Sequence, residues 1–408
     1  MKGLIKLVSQ ELGRKIKEKN ERRIGVEIEY PVVDKTFKFF SVYHVLIEAE
    51  EGEEIIEEGV FLGRQITNAK ITTDIGEGLL EIAAKPVNTV DEAEKIIKSS
   101  LRIVKRFLKK RGWILGYGIQ PISKETPVPP RRLYHILLNN HPVSAKATVS
   151  AASQVHIDIF NEKEAILAVN TFNALTPIFI AIFANSPIWR GKITSKLALR
   201  EYFYEIMSPE FSGIPEKPFL DLNDYIQEVV NKKCFFFGVK NGKFISPKER
   251  TLLKFLENNR LSKEETYQNY LCLESMVMWN ARLRVDLGTI EIRPCCTQPP
   301  KEQMTIPALM LGLIENLEKA SQIVKEKKWE EWRRLKTEAL EKGLENQNIL
   351  SLAKEVLEIA EEGLSKRGYN EEKNLRVLWR RIKKHENPAQ RIITVSYTHL
   401  TLPTTERV

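Results

Sequence analysis

The sequence predicts one large α+β domain. Three observations carry that expectation: β-branched stretches with charged residues on one face, long helical stretches falling irregularly between them, and no internal repeat or low-complexity linker. A length of 408 residues would by itself suggest two to three domains, but no shift in composition marks a boundary.

Leu4, Val8, Leu12 and Ile16 recur at helical spacing before Asn20, so residues 4–17 read as an amphipathic helix. Residues 23–33 read as a strand whose alternation puts Glu27 and Glu29 on one face and Val26, Ile28 and Tyr30 on the other. In the stretch TTDIGEGLLEIA (72–83), two glycines allow a bend between Asp74 and Glu81, giving strand, turn, strand. Thr89 and Glu92 form a capping box for a helix running to about Lys110, with Arg111-Gly112 as its stop. A strand is expected over 113–120 and a longer extended stretch over 147–160, where Gln154, His156 and Asp158 share one side. Asn161 and Glu164 cap the apolar helix that follows. Its apolar run, 166–188, is interrupted by Asn170, Asn173, Thr176, Pro177 and Asn185, which favours a buried core helix over a membrane span. Asn241-Gly242 marks a hairpin, residues 279–295 close the strand set with Glu291 and Arg293 on one face, and the chain reads as helical from Glu302 onward.

Composition narrows the function classes. With 42% hydrophobic and 29% charged residues, the chain can bury a large core. Sixty-three Lys and Arg against 54 Asp and Glu give a net charge of +9, which suits anionic ligands such as nucleotides. The basic runs lack interleaved aromatics, so no nucleic-acid partner is expected, and neither is a membrane. Cys234, Cys272, Cys295 and Cys296 form no disulfide framework or zinc-type spacing, which predicts a reducing cytoplasmic location. Residues 395–405, VSYTHLTLPTT, resemble one reading frame of a transposon-end sequencing adapter. Residues 1–394 are therefore taken as a single domain, and 395–408 as a tail outside the fold, expected to be disordered or poorly packed.

Glu27, Glu29, Asp74, Glu81 and Glu291 all fall on strand patterns, where charge is depleted. Gathered on one sheet face they would repel each other unless cations sat between them. Oxygen-rich donors with at most one imidazole, from His156, suit Mg²⁺, or Mn²⁺, rather than zinc. Arg282, Arg284 and Arg293 interleave with Glu291, and Arg200 follows the apolar helix. Arginine forks beside metal-binding carboxylates describe a phosphoryl-transfer site, with an ion-pair ladder as the plainer reading. No Walker A or GxGxxG motif is present.

Five segments, GVEIEYPVVD (25–34), TDIGEGLLEIA (73–83), GIQP (118–121), ANSPIWRG (184–191) and WNARLRVDLGTIEIR (279–293), together resemble the glutamate-cysteine ligase and carboxylate-amine ligase family, whose catalytic domain is related to glutamine synthetase. The resemblance implies a mainly antiparallel sheet bent into an active-site funnel and backed by helices. It implies ATP and Mg²⁺ as cofactors, and metal ligation by Glu27, Asp74, Glu81, His156 and Glu291, with Glu29 a candidate on the same strand. Arg293, with Arg284, would face the nucleotide phosphates, and Arg282 and Arg200 would hold substrate carboxylates or the transferring phosphoryl group. Asn185 and Ser186 would lie at the mouth of the site, and Gln154 would contact substrate. The implied reaction, a step of glutathione biosynthesis, activates the γ-carboxylate of L-glutamate as an acyl phosphate and joins it to L-cysteine. The alternative is a ligase of the same family using a different amine or carboxylate, with a non-catalytic metal- or nucleic-acid-binding protein behind both. The chain departs from the family pattern at Gln120 and Gln154, where His is usual, at Asp74, where Glu is usual, and at Cys296, where Asp is common. These changes bear on the second substrate, and the shorter Asp74 would reach a metal through water.

Overall fold

The structure is a computed structural model that describes residues 1–17 and 21–401, with side chains described to residue 396. Helix α1 (Lys2–Lys17) buries the predicted stripe of Leu4, Val8, Leu12 and Ile16. It is followed by β1 (Ile24–Val33), α2 (Val42–Ile47), β2 (Glu53–Glu57), β3 (Val60–Ile66), β4 (Ala69–Thr73) and β5 (Leu79–Ala84). Helix α3 (Val90–Leu108) starts on the Thr89–Glu92 capping box. It ends before Arg111-Gly112, because Lys109 and Lys110 themselves take the left-handed conformation.

The strand expected over 113–120 shrinks to β6 (Trp113–Ile114). After α4 (Arg132–Asn140), residues 142–149 wind into a 3₁₀ turn, so the next strand, β7 (Ser153–Asp158), is shorter than expected. The apolar run breaks at Leu175 into α5 (Glu162–Ala174) and α6 (Thr176–Phe183), bent by 52°. Pro177 lies in the first turn of α6, where its missing N–H costs no helical hydrogen bond. Among the described residues no single helix is long and apolar enough to cross a membrane, and α6 is wholly buried.

The middle of the chain carries β8 (Ile188–Trp189), β9 (Lys192–Ile193), α7 (Leu199–Met207), β10 (Ser212–Gly213) and α8 (Leu222–Val230). Asn241 and Gly242, both at positive φ, turn the predicted hairpin β11 (Gly238–Lys240) and β12 (Lys243–Ile245). Helices α9 (Leu252–Asn258) and α10 (Lys263–Met276) lead to β13 (Met278–Trp279), β14 (Ala281–Arg284) and β15 (Thr289–Ile292). The rest is helical, as expected: α11 (Thr305–Glu315), α12 (Leu317–Lys325), α13 (Trp329–Lys342), α14 (Gln347–Arg367), α15 (Arg376–Lys384) and α16 (Pro388–Thr401). The last helix extends into the segment read as a tail. Residues 395–401 are helical rather than disordered, and 402–408 lie outside the described residues.

Strands β14, β15, β7, β1, β5, β4, β3 and β2 lie side by side in that order, every neighbour antiparallel, with β6 pairing the far end of β1. One face carries Val26, Ile28, Ile82, Val155 and Ile157, all buried, with α3, α5 and α11 packed on the sheet. Each such side chain contributes roughly 1.5–3 kcal/mol, so a one-residue slip that flipped them outward is strongly disfavoured. Behind this layer α11 and α14 touch at Gly312 and Gly363. A Cβ on Gly312 would sit 2.2 Å from the Ala360 carbonyl oxygen, so only glycine permits that approach. The opposite face receives the polar residues. Across the strands Thr72, Glu81 and Glu29 align, Glu27 stands opposite Gln154, and Arg282, Glu291 and His156 align.

Candidate active site

That polar face forms the floor of a cleft of ≈ 270 Å³. Glu27, Glu29, Asp74, Glu81, Gln154, Arg282, Arg284, Glu291 and Arg293 line it, so nine of the expected site residues converge from segments far apart in sequence. His156 is buried beside Glu27, its Nε2 3.4 Å from Glu27 Oε1.

The acidic side comes from β1 and from the β4–β5 hairpin. Burial pushes the Glu81 carboxyl well above its ordinary range, and the charges of Glu27, Asp74 and Glu29 push the same way. Glu29 is pushed up to about 8 by burial and by Asp74. It accepts hydrogen bonds from the Ala152 N–H and from Gln154 Nε2, each 2.7 Å. Burial likewise raises Asp74. Glu27 differs: burial opposes its charge, but His156 outweighs burial and holds it below the ordinary value.

The basic side comes from β14, β15 and the residue after them. Arg282 Nε donates to Glu291 Oε2 at 2.8 Å, Arg284 Nη1 lies 3.6 Å from the same oxygen, and Arg293 Nη1 contacts Oε1. Burial works against ionising Glu291, yet Arg282 and Arg293 hold it far below the ordinary carboxylate range. Gln154 joins the two sides: its Nε2 donates to Glu29, and its Oε1 accepts from Arg293 Nη1 at 2.6 Å.

Three expected site residues lie elsewhere. Arg200 is buried at the start of α7 and does not line the cleft, because its Nη1 turns inward to the Arg293 carbonyl (2.8 Å) and Glu201 (3.1 Å). Asn185 is buried and donates to the Gly116 and Thr297 carbonyls, fixing a loop rather than forming the mouth. Ser186 is buried between Cys296 and the Arg200 N–H. Conversely, Leu133, Tyr134 and Leu137 of α4, His141, Tyr204 and the Phe236–Phe237 pair line the cleft without having been singled out. The helical spacing of 133, 134 and 137 was available in the sequence, but nothing local says which surface such a face covers.

Among the described residues no three of His, Cys, Asp and Glu are gathered closely enough to hold a metal ion as they stand. The donors nevertheless fit a hard divalent cation. They are oxygen-rich, they repel one another, and neither His156 ring nitrogen makes a well-formed hydrogen bond. Mg²⁺ is commonly held by one or two carboxylates together with substrate phosphates rather than by a closed protein cage.

Residues 23–399 match the family model described as glutamate-cysteine ligase family 2. The chain belongs to the glutamate-cysteine ligase family. It is accordingly an ATP-dependent ligase, and its mixed helix and antiparallel-sheet architecture agrees with the family's solved structures. A glutamate-cysteine ligase from Francisella tularensis, solved with AMP, superposes with a TM-score of 0.56 at 13% identity, covering 93% of this chain and 86% of that one. A bifunctional glutathione synthetase from Pasteurella multocida gives 0.52 at 13% identity over 96% of this chain and 50% of that one. Glutamate-cysteine ligase A of Oryza sativa subsp. indica is 25% identical over 400 residues, 92% of this chain and 80% of the relative. The enzyme of Arabidopsis thaliana is 24% identical over 408 residues, 92% and 77%. Both plant relatives are chloroplastic, which overturns the cytoplasmic location expected from cysteine usage. Four buried cysteines without a disulfide do not distinguish one reducing compartment from another.

Proposed function

We propose that this ligase activates the γ-carboxylate of L-glutamate with ATP and joins it to the amine of L-cysteine. One observation carries the reading: a single cleft places mutually repelling carboxylates beside an arginine ladder, with Gln154 between them. Glu27, Glu81, Asp74 and His156 would hold Mg²⁺, which when bound supplies positive charge against the nucleotide phosphates.

The chain's own groups do the positioning. Arg293 extends its guanidinium along the cleft, where its fork fits the oxygens of a phosphoryl group passing to the glutamate carboxylate. Arg282 and Arg293 hold Glu291 ionised, and with Arg284 they leave this wall net positive, so anions settle there rather than against the acids. Glu29, pushed up to about 8, would take the proton the amine must lose from its ionised fraction, which grows as pH approaches 8. Residues 1–394 would form a single ligase domain, with 395–408 as a tail.

The test follows ¹⁸O from the γ-carboxylate. Transfer into phosphate, with ADP release that requires both glutamate and cysteine, is the expected result. Dipeptide formed without ¹⁸O in phosphate would overturn carboxylate activation by phosphoryl transfer. A different amine giving the higher kcat/KM would replace cysteine while keeping the chemistry.

A further inference from the structure

Arg293 is the first residue beyond the last paired position of β15, Ile292, and sits where the β14–β15 register has run down to its final rung. Its N–H donates to the Asn280 carbonyl at 2.9 Å, and its own carbonyl accepts from Arg200 Nη1 at 2.8 Å. Both of those partners meet at one buried carboxylate: Glu201 accepts from Asn280 Nδ2 through Oε1 and from Arg200 Nη1 through Oε2. Glu201 is itself paired with Lys336 of α13, whose Nζ lies 2.8 Å from Glu201 and 2.9 Å from Glu205. Lys336 is only 3% exposed. Gly213, at φ +73°, lies beside it, and a Cβ there would come within 2.9 Å of Lys336 Nζ.

We infer that Lys336, outside the cleft, is a positioning residue that acts with Glu201 through Arg200 and Asn280 to fix both peptide groups of Arg293. A buried ammonium next to two carboxylates is a costly way to fill space, and a methionine of similar volume would pack at least as well. What the charge pair adds is a fixed location for Glu201, and therefore for the two groups that clamp Arg293. The C-terminal helices thereby set the aim of a guanidinium in the cleft, where misplacement by about 1 Å can cost on the order of a hundredfold in rate.

The inference rests on the proposed phosphoryl-transfer role of Arg293, so the experiment separates the two. Steady-state kinetics and thermal melting are compared for the pair Glu201→Gln with Lys336→Met, which removes one charge of each sign, for Arg293→Lys, and for all three together. The folded pair variant should lose about tenfold to a hundredfold in kcat. KM for ATP and glutamate should change by less than about threefold, and the pair should cost less than about threefold in the Arg293→Lys background, because its route is already broken. Lys336→Arg, which keeps the cation, should recover turnover to within about threefold of the parent. Parent-like kcat in the folded pair, an equal loss in both backgrounds, or failure of Lys336→Arg to recover turnover would each overturn the inference. Parent-like turnover of Arg293→Lys alone would instead sink the role of Arg293 itself.

Discussion

The two walls of the cleft are built from one sheet and show opposite electrostatics. On the β1 and β4–β5 side, burial raises Glu29, Asp74 and Glu81, and at least one neighbouring carboxylate adds to each. On the β14–β15 side Glu291 is just as buried, yet Arg282 and Arg293 keep it ionised. Strand propensity does not separate them, since both sides carry acids on alternating positions. The difference is whether the paired strand supplies a counter-charge: Glu291 faces Arg282 across the ladder, whereas Glu29 faces Glu81. On one wall the acid is paired with arginines, and on the other acids face one another.

Removing charge should therefore have opposite effects on the two walls. Glu291→Gln would leave Arg282, 5% exposed, without its carboxylate, and breaking such a buried pair costs about 3–5 kcal/mol. Urea unfolding should show that loss alongside near-abolished turnover. The fold is not spared, as a solvated strand-face acid would allow, because Glu291 is 1% exposed. A Gln variant of parental stability would erase the contrast between the walls.

Glu81→Gln should instead raise the metal-free melting temperature by about 1–3 °C, by removing a carboxyl that burial and then three neighbouring carboxylates disfavour. The same change should raise the Mg²⁺ concentration needed for half-maximal activity by about tenfold or more. A lower melting temperature with unchanged Mg²⁺ response would move Glu81 into the structural class.

The pH dependence sharpens the comparison further. Glu29 titrates near 4.5 when unexposed to the fold and is pushed up to about 8 within it, chiefly by burial and then by Asp74. Between those values the native state holds a proton that the unfolded chain has lost, so this contribution to stability is present at low pH and falls as pH rises from about 4.5 to about 8. Metal-free protein should melt progressively lower across that window, and saturating Mg²⁺ should flatten the slope. An identical slope with and without Mg²⁺ would count against cation binding at the acidic wall.

The smallest effect is expected far from both walls. Deleting residues after Thr394 should shift the melting temperature by less than about 2 °C, because Val395 is half exposed and the Ser396 hydroxyl donates to the Ile392 carbonyl within the same helix. A larger drop would show that α16 is stabilised beyond residue 394.

Local chemistry was legible in the residues themselves. Period-two alternation assigned Glu27 and Glu29 to one face of β1, Thr89 and Glu92 announced the start of α3, and Asn241-Gly242 fixed its hairpin, since each depends on neighbours a few positions away. Helix endings were less legible: the stop of α3 fell to left-handed Lys109 and Lys110, and the apolar run bent at Leu175 to follow the core. What only the tertiary structure decided was partnership. Alternation says that Glu29, Glu81 and Gln154 face one side of their strands, but strand order decides that Glu29 faces Glu81 and that Gln154, 125 residues from Glu29 and 139 from Arg293, bonds to both. Arg200 shows the limit most clearly: its residue type suits an anion site, yet the packing of α7 against Glu201 and the Arg293 carbonyl turns it away from the cleft, because a buried guanidinium goes to the acceptors that satisfy it.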